Sequence, residues 1–314
     1  MLLARERQEL DIDLTCGTCV TIGNFDGVHK GHQKLIDRVL HKARAQGLLA
    51  TVVSFCPHPL HVLVGPKTPP FITLRDHKLD IIESLGVDIT LLLNFTRQMA
   101  ALDPEEFVKT YLVDWINTKE LVVGYDYSFG KGRKGNYALL QTLGERYGFT
   151  VERHEPVIIN DAIVSSTRIR DLIRSGDVWA AAALLGRFYV VEGRVVHGKN
   201  RGGRLLGFPT ANLELDNALF PETGVYAGWV ELDDVCHAAV ANVGYSPTFG
   251  NEEKTVEAHI LDFNRDVYGC SMRFHFVQRL REERKFANLT ELVARIREDA
   301  ALARQVLSAP EAQL

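Results

Sequence analysis

The chain has 314 residues, 46% of them hydrophobic and 24% charged, a balance that suits about two folded domains and excludes a fibrous or disordered chain. A formal net charge of −4 offers no overall basic field for nucleic acid. No apolar run approaches the ~20 residues of a membrane span, and Arg5, Glu6 and Arg7 break the apolar core that a secretory leader needs, so a cytoplasmic protein with reduced thiols is expected.

The first elements read as strand, turn and helix. Val20-Thr21-Ile22 is a short buried strand, and in residues 33–46 Leu35, Ile36, Val39, Leu40 and Ala43 recur at helical spacing. Between them lies Gly23-Asn24-Phe25-Asp26-Gly27-Val28-His29-Lys30-Gly31-His32. A glycine-rich bend entering a helix aims free N–H groups and the positive end of the helix dipole at its guest, and the natural guest is a phosphate. His29 and His32 are three apart, share a face, and can donate to a phosphate that gains charge in a transition state. The competing reading is two surface histidines after a turn. The stretch is neither a Walker A loop nor a dinucleotide G-x-G-x-x-G. Upstream, Cys16 and Cys19 form a lone C-x-x-C with no second pair to complete a zinc site.

Residues 49–55 make a second strand, ending at Cys56-Pro57-His58-Pro59. Strand, helix, strand implies a parallel sheet with a right-handed crossover, whose ligands bind outside the carboxyl ends of the strands. His58 is either a ligand contact or a turn residue between prolines. Thr73 and Asp76 open a helix that ends at Gly86, and residues 87–93 form a third strand. Asp103-Pro104 starts another helix. The fourth strand, 120–123, ends at Gly124-Tyr125-Asp126-Tyr127-Ser128-Phe129-Gly130, followed by Lys131, Arg133 and Lys134. Aromatics here can stack on a flat ring and the bases can meet phosphates; a solvated basic hairpin is the plainer alternative. After a helix at 137–147 and a strand at 150–152, Ser165-Ser166-Thr167-Arg168 offers hydroxyls and a guanidinium at a helix start, a second phosphate grip or a simple N-cap.

Residues 171–185 read as helix, and Gly186-Arg187 as the boundary between a domain at 1–185 and one at 186–314. Beyond it short strands follow one another without helices until Asn288, which predicts an antiparallel barrel closed by a helix at 289–307. Cys236 and Cys270, in strand-like surroundings, read as small core residues. Between two strands, the run from His197 to Asn212 carries Gly198, Lys199, Gly203, Arg204, Gly207 and Pro209, a loop suited to close approach of phosphates. Thr210 and Asn212 are two apart in an extended segment, so their oxygens fall on one side and suit Mg²⁺ bound with phosphate oxygens. Alternation in 256–260 puts Glu257 and His259 on one face and Val256, Ala258 and Ile260 on the other.

The H-x-G-H element after the first strand resembles the nucleotidyltransferase superfamily, and so does Ser165-Ser166-Thr167-Arg168-Ile169-Arg170. In the second half G-R-x-L-G-F-P-T-A-N, E-A-H-I-L-D-F and R-x-E-x-K-F resemble riboflavin kinase. Over residues 18–307 the chain resembles prokaryotic bifunctional riboflavin kinase/FMN adenylyltransferase (FAD synthetase). The resemblance implies a Rossmann-like α/β nucleotidyltransferase domain followed by an all-β kinase barrel with a C-terminal helix. It implies phosphorylation of riboflavin to FMN, then adenylylation of FMN to FAD, with ATP as co-substrate and Mg²⁺. It places the kinase base on Glu257, and ATP phosphates on Gly23, Asn24, Phe25, Asp26, Gly27, His29, His32 and the 165–168 segment, where Arg168 and the hydroxyls hold the departing pyrophosphate. It places flavin against Phe55, Pro57, His58, Asp126 and Phe129. Cys56 stands where the family usually carries Asp, and Tyr127-Ser128 where it carries Phe-Arg. Activity of one half only, the kinase in particular, and a non-catalytic flavin-binding regulator are the rival readings. The expected partners are small molecules, not nucleic acid or membrane, with room for weak self-association.

Overall fold

The computed structural model describes residues 1–196, 208–216, 219–246 and 253–314. The chain divides into two compact units, residues 1–69 with 75–165, and residues 70–74 with 166–314.

The first unit is a six-stranded sheet. Its strands are β1 (Leu2–Ala4), β2 (Thr18–Ile22), β3 (Leu49–Cys56), β4 (Ile89–Asn94), β5 (Thr118–Gly124) and β6 (Thr150–His154), in the order β1-β4-β3-β2-β5-β6 with every pair parallel. Its helices are α1 (Lys30–Gln46), α2 (Pro59–Val64), α3 (Arg75–Ser84), α4 (Arg97–Ala100), α5 (Pro104–Phe107), which runs on into a π-helical stretch Val108–Asp114, and α6 (Tyr137–Tyr147). Alternate residues of each strand face opposite layers. Cys19, Val52 and Val122 pack under Leu35, Ile36 and Val39 of α1 and Ile82 of α3. Val20, Val53, Leu121 and Val123 pack under Val108, Leu112, Leu140 and Leu143 on the other face. Burial on both faces is what makes these strands near-continuous apolar runs. The short edge strand β1, pairing with β4, was not foreseen from the sequence; three residues carry no readable period.

Strand β2 lies between β3 and β5, and the chain proceeds outward on one side through β3 and β4 before returning to the other at β5. The order reverses at β2, so the crevice above it is the place such sheets offer a ligand. A two-stranded hairpin, β7 (Ile158–Ile159) and β8 (Ala162–Ile163), completes this unit.

The second unit holds α7 (Ser166–Arg174), α8 (Val178–Leu185) and a closed antiparallel barrel of β9 (Tyr189–Val196), β10 (Ala211–Leu215), β11 (Gly224–Leu232), β12 (Val235–Ser246), β13 (Glu253–Ile260) and β14 (Ser271–Arg281), ordered β10-β13-β12-β11-β14-β9. The helix read at 171–185 is two helices. Gly176 takes φ +81 and Asp177 restarts the chain by accepting from the Ala180 N–H at 3.0 Å. Val191, Val195, Val256, Ala258, Phe274 and Phe276 fill the barrel. Helix α9 (Leu289–Leu307) lays Ala300, Ala303 and Leu307 against Ala227 and Val277 on its outside, and the Trp229 indole donates to the Ala312 carbonyl at 2.7 Å. Cys236 is exposed and Cys270 half-buried, so neither is the core residue expected: Cys236 sits beside the exposed Asp233-Asp234 turn that joins β11 to β12. Cys19 is buried and Cys16 exposed, both free. Among the described residues no helix is long and apolar enough to cross a membrane.

Candidate active sites

The Gly23–His32 turn leaves the carboxyl end of β2 at the reversal point. The Gly23 N–H donates to the Val53 carbonyl at 3.1 Å, which ties the turn to β3. Phe25, Gly27 and Val28 all take positive φ, at 51, 83 and 35. That conformation strains a β-branched valine, and strain of this kind persists where the surroundings hold it for a purpose. Asn24 is exposed, whereas Phe25 and Asp26 are buried. The Phe25 ring packs inward, edge-on to His32 at 5.1 Å.

His29 is the N-cap of α1, and its Nδ1 accepts from the His32 N–H at 3.3 Å. An accepting Nδ1 carries no proton, so the proton sits on Nε2, the other edge of the ring. The two imidazoles stack at 3.6 Å and 15°. The intervening Gly31 is explained by this stack, because a Cβ there would meet the His29 ring at 3.1 Å. His32 Nδ1 is buried without a protein partner. Burial first, then the nearness of His29 and of the Lys78 ammonium, holds the His32 imidazole well below its ordinary range and favours its neutral form. The sequence-predicted sharing of one face is therefore present.

The next strand ends complete this crevice. His58 caps α2, its Nδ1 accepting from the Leu60 N–H at 3.1 Å; Pro57 beside it is exposed. Phe55 and Phe129, 74 residues apart in sequence, are joined through Phe107, whose ring lies 6.4 Å from the first and 5.8 Å from the second. Tyr127 stacks on Phe129 at 5.5 Å and burial raises its phenol. Asp126 is exposed beside Gly124. Val164 lies against the turn, its carbonyl 3.8 Å from a Cβ built on Gly31, which brings the chain just ahead of Ser165 to the histidines. Ser166, Thr167 and Arg168 form the first turn of α7, in the second unit.

In the barrel, Asn212, Glu257 and Asn242 stand directly opposite one another on β10, β13 and β12, so their side chains share one face. Val256, Ala258 and Ile260 are buried on the other, as alternation predicts. A cleft of ≈ 340 Å³ opens over this face between the barrel and α9, lined by Thr210, Asn242, Glu257, Arg281, Glu283 and Phe286 among others. Its size is that of small-molecule sites. Burial, and then the charge of Glu283, raises the Glu257 carboxyl above the ordinary glutamate range. His259 meets the Pro209 carbonyl through Nδ1 at 2.9 Å, fixing the segment ahead of Thr210. A second cavity of ≈ 250 Å³ lies on the other side of that segment, lined by Pro209, Thr210, Phe263, Asn264, Arg265 and Tyr268 among others. Thr210 lines both. Gly198, Lys199, Gly203, Arg204 and Gly207 lie outside the described residues. Asn242 and Glu283 were not singled out from the sequence as site residues. They approach each other over Gly244, where a built Cβ lies 2.8 Å from Glu283 Oε1 and 3.1 Å from Asn242 Nδ2.

Residues 11–168 match the family described as FAD synthetase, and residues 185–307 match riboflavin kinase. The bifunctional riboflavin kinase/FMN adenylyltransferase of Bacillus subtilis is 38% identical over 89% of this chain and 89% of its own length. The enzyme of the same name from Escherichia coli K12 is 38% identical over 92% of each. A crystal structure described as a macrolide-efflux protein from Streptococcus pneumoniae superposes with a TM-score of 0.85 at 35% identity, covering 97% of this chain and 99% of that one. Two family matches in tandem and near full-length relatives agree with the two sites built above, and the chain belongs to the bifunctional riboflavin kinase/FMN adenylyltransferase family.

Proposed function

We propose that the two activities of this family are divided here between residues 1–185, which adenylylate FMN, and residues 186–314, which phosphorylate riboflavin. The kinase reading is carried by one observation: Thr210 lines two cavities, and the raised carboxylate Glu257 lines the larger. Flavin in the larger cavity and ATP in the smaller would meet at Thr210. The ribityl 5′-hydroxyl attacks the γ-phosphorus, Glu257 takes its proton, and ADP leaves. Phosphoryl transfer asks little covalent chemistry of a protein, so positioning and charge neutralisation dominate.

Thr210 and Asn212 fit Mg²⁺ by donor type, a hydroxyl and an amide oxygen beside a cavity for phosphates. Among the described residues no cluster of three or more His, Cys, Asp or Glu could hold a metal by itself, which suits an ion carried in with the nucleotide. Bound there, the ion would neutralise phosphate charge.

At the first site the FMN phosphate attacks the α-phosphorus of ATP and the bond to the β-phosphate oxygen breaks, releasing pyrophosphate. Each phosphorus substitution needs no protein nucleophile. His29 Nε2–H and the positive end of the α1 dipole behind the turn would stabilise an α-phosphate as it gains charge. The sequence resemblance supports reading Ser165, Ser166, Thr167 and Arg168 as holding the leaving pyrophosphate, and Phe55, Pro57, His58, Asp126 and Phe129 as flavin contacts. FMN incubated with ATP labelled at the α-phosphorus tests the scheme. Label in FAD, with one pyrophosphate per FAD, is expected; unlabelled FAD would refute it.

A further inference from the structure

The Gly23–His32 turn rests on a buried cation that the scheme above leaves idle. Lys78 belongs to α3, only 7% of its surface is exposed, and its ammonium lies beneath the turn. Its Nζ donates to the Asn24 carbonyl at 3.3 Å and to the Ser54 hydroxyl at 3.2 Å. Ser54 itself donates to the same Asn24 carbonyl at 3.4 Å. Asp26 is the carboxylate in electrostatic range, and His32 feels the ammonium from α1. A lysine is rarely this buried without a purpose, because its charge must be compensated. Here the compensation comes from the strained turn itself.

We propose that Lys78 is a positioning residue of the adenylyl-transfer site. Its ammonium clamps the Asn24 carbonyl, which turns the following N–H groups outward, and it sets a fixed positive charge behind the point where the α-phosphate becomes more negative. It also adds to the burial that favours a neutral His32. The inference rests on the adenylyltransferase reading of this unit. Burial lowers Lys78 from its ordinary range, with Asp26 and Cys56 acting in the opposite sense.

The test compares Lys78→Met with Lys78→Arg in the full chain. Met keeps the apolar stem and removes the charge; Arg keeps the charge and adds bulk. A charge that acts on the transition state predicts that Lys78→Met lowers kcat for FAD formation by about 10- to 100-fold with KM for ATP changed far less. Lys78→Arg should retain most of kcat, and FMN formation by the same polypeptide should be unaltered in both. A space-filling role predicts the reverse order, Met active and Arg impaired, and that order would overturn the proposal.

Wild-type protein gives a second measurement that does not depend on how Lys78→Met folds. Asp26, Cys56 and His32 are the titratable groups that interact with the ammonium among the described residues. FAD formation should lose rate at a pH below that of an ordinary lysine, and Lys78→Arg should abolish that loss. A limb unchanged in Lys78→Arg does not come from the ammonium and contradicts the inference. Wild-type protein that makes no FAD from FMN and ATP would defeat the adenylyltransferase reading itself, whereas active wild type with equally active Lys78→Met defeats the role of Lys78 alone.

Discussion

His29 Nδ1 accepts the His32 backbone N–H at 3.3 Å while the two rings stack at 3.6 Å, so one ring nitrogen caps the helix and the other carries the ring's proton. Capping and catalysis are thus separable by substitution. Asparagine is a good N-cap but lacks the Nε2 donor. His29→Asn should leave the urea stability of the protein within ~0.5 kcal/mol of wild type and lower the rate of FMN adenylylation by about 10²–10³. His29→Ala should lose both. Equal rates for wild type and His29→Asn would remove the imidazole from the mechanism.

Glu257 is raised by burial and by Glu283. A base must be ionised to act, so kinase kcat/KM should fall on acidification through a pKa above the ~4.3 of a free glutamate. Glu283→Gln removes a neighbouring negative charge and should move that limb to lower pH. Glu257→Gln should lower FMN formation by about 10²–10⁴-fold, with FAD formation from supplied FMN intact. An unmoved limb in Glu283→Gln would separate the two carboxylates.

Away from both sites, Glu152 on β6 receives Arg38 at 2.7 and 2.9 Å and Lys42 at 3.0 Å from α1, and the Arg38 hydrogen bonds above all depress its carboxyl to about 2. A depressed folded pKa contributes stability that is complete above the unfolded value of ~4.3 and fades as pH falls toward the folded one. The melting temperature of wild type should therefore exceed that of Glu152→Gln at pH 6, and the difference should shrink steadily between pH 4.5 and 2. A difference that is constant with pH would exclude this linkage.

Asp299 on α9 is 3% exposed, accepts from Arg281 at 2.8 and 3.0 Å, and has the Arg295 guanidinium as an ion-pair neighbour at 3.1 Å. Asp299→Ala leaves the Arg281 guanidinium, itself largely covered, without its carboxylate. Breaking such a pair costs about 3–5 kcal/mol, and α9 forms one wall of the larger cavity, so riboflavin affinity should fall with stability in urea unfolding. Unchanged stability would mean that water reaches the pair.

What could be read from the sequence was local. The strand–turn–helix at β2 and α1 follows from apolar spacing around a glycine-rich bend, and the facing of Glu257 follows from a period of two. The pairing of Asn212 with Glu257 needed register, which a single strand does not carry. Lys78 reaches a carbonyl 54 residues away, and Glu283 approaches Glu257 from beyond β14; neither contact leaves a trace in nearby residues. The break between α7 and α8 was legible, since Ser175-Gly176-Asp177 is a helix stop followed by an N-cap, but the apolar spacing on either side masked it. The expected core position of Cys236 failed because a strand-like run says nothing of where its hairpin turns.

The most direct test of the account is a time course from riboflavin, excess ATP and Mg²⁺, with products separated by chromatography. FMN should rise first and then decline as FAD and pyrophosphate accumulate, and Glu257→Gln should block the sequence at riboflavin while still converting supplied FMN. Accumulation of FMN with no FAD would contradict two working sites and leave the crevice above β2 without its reaction.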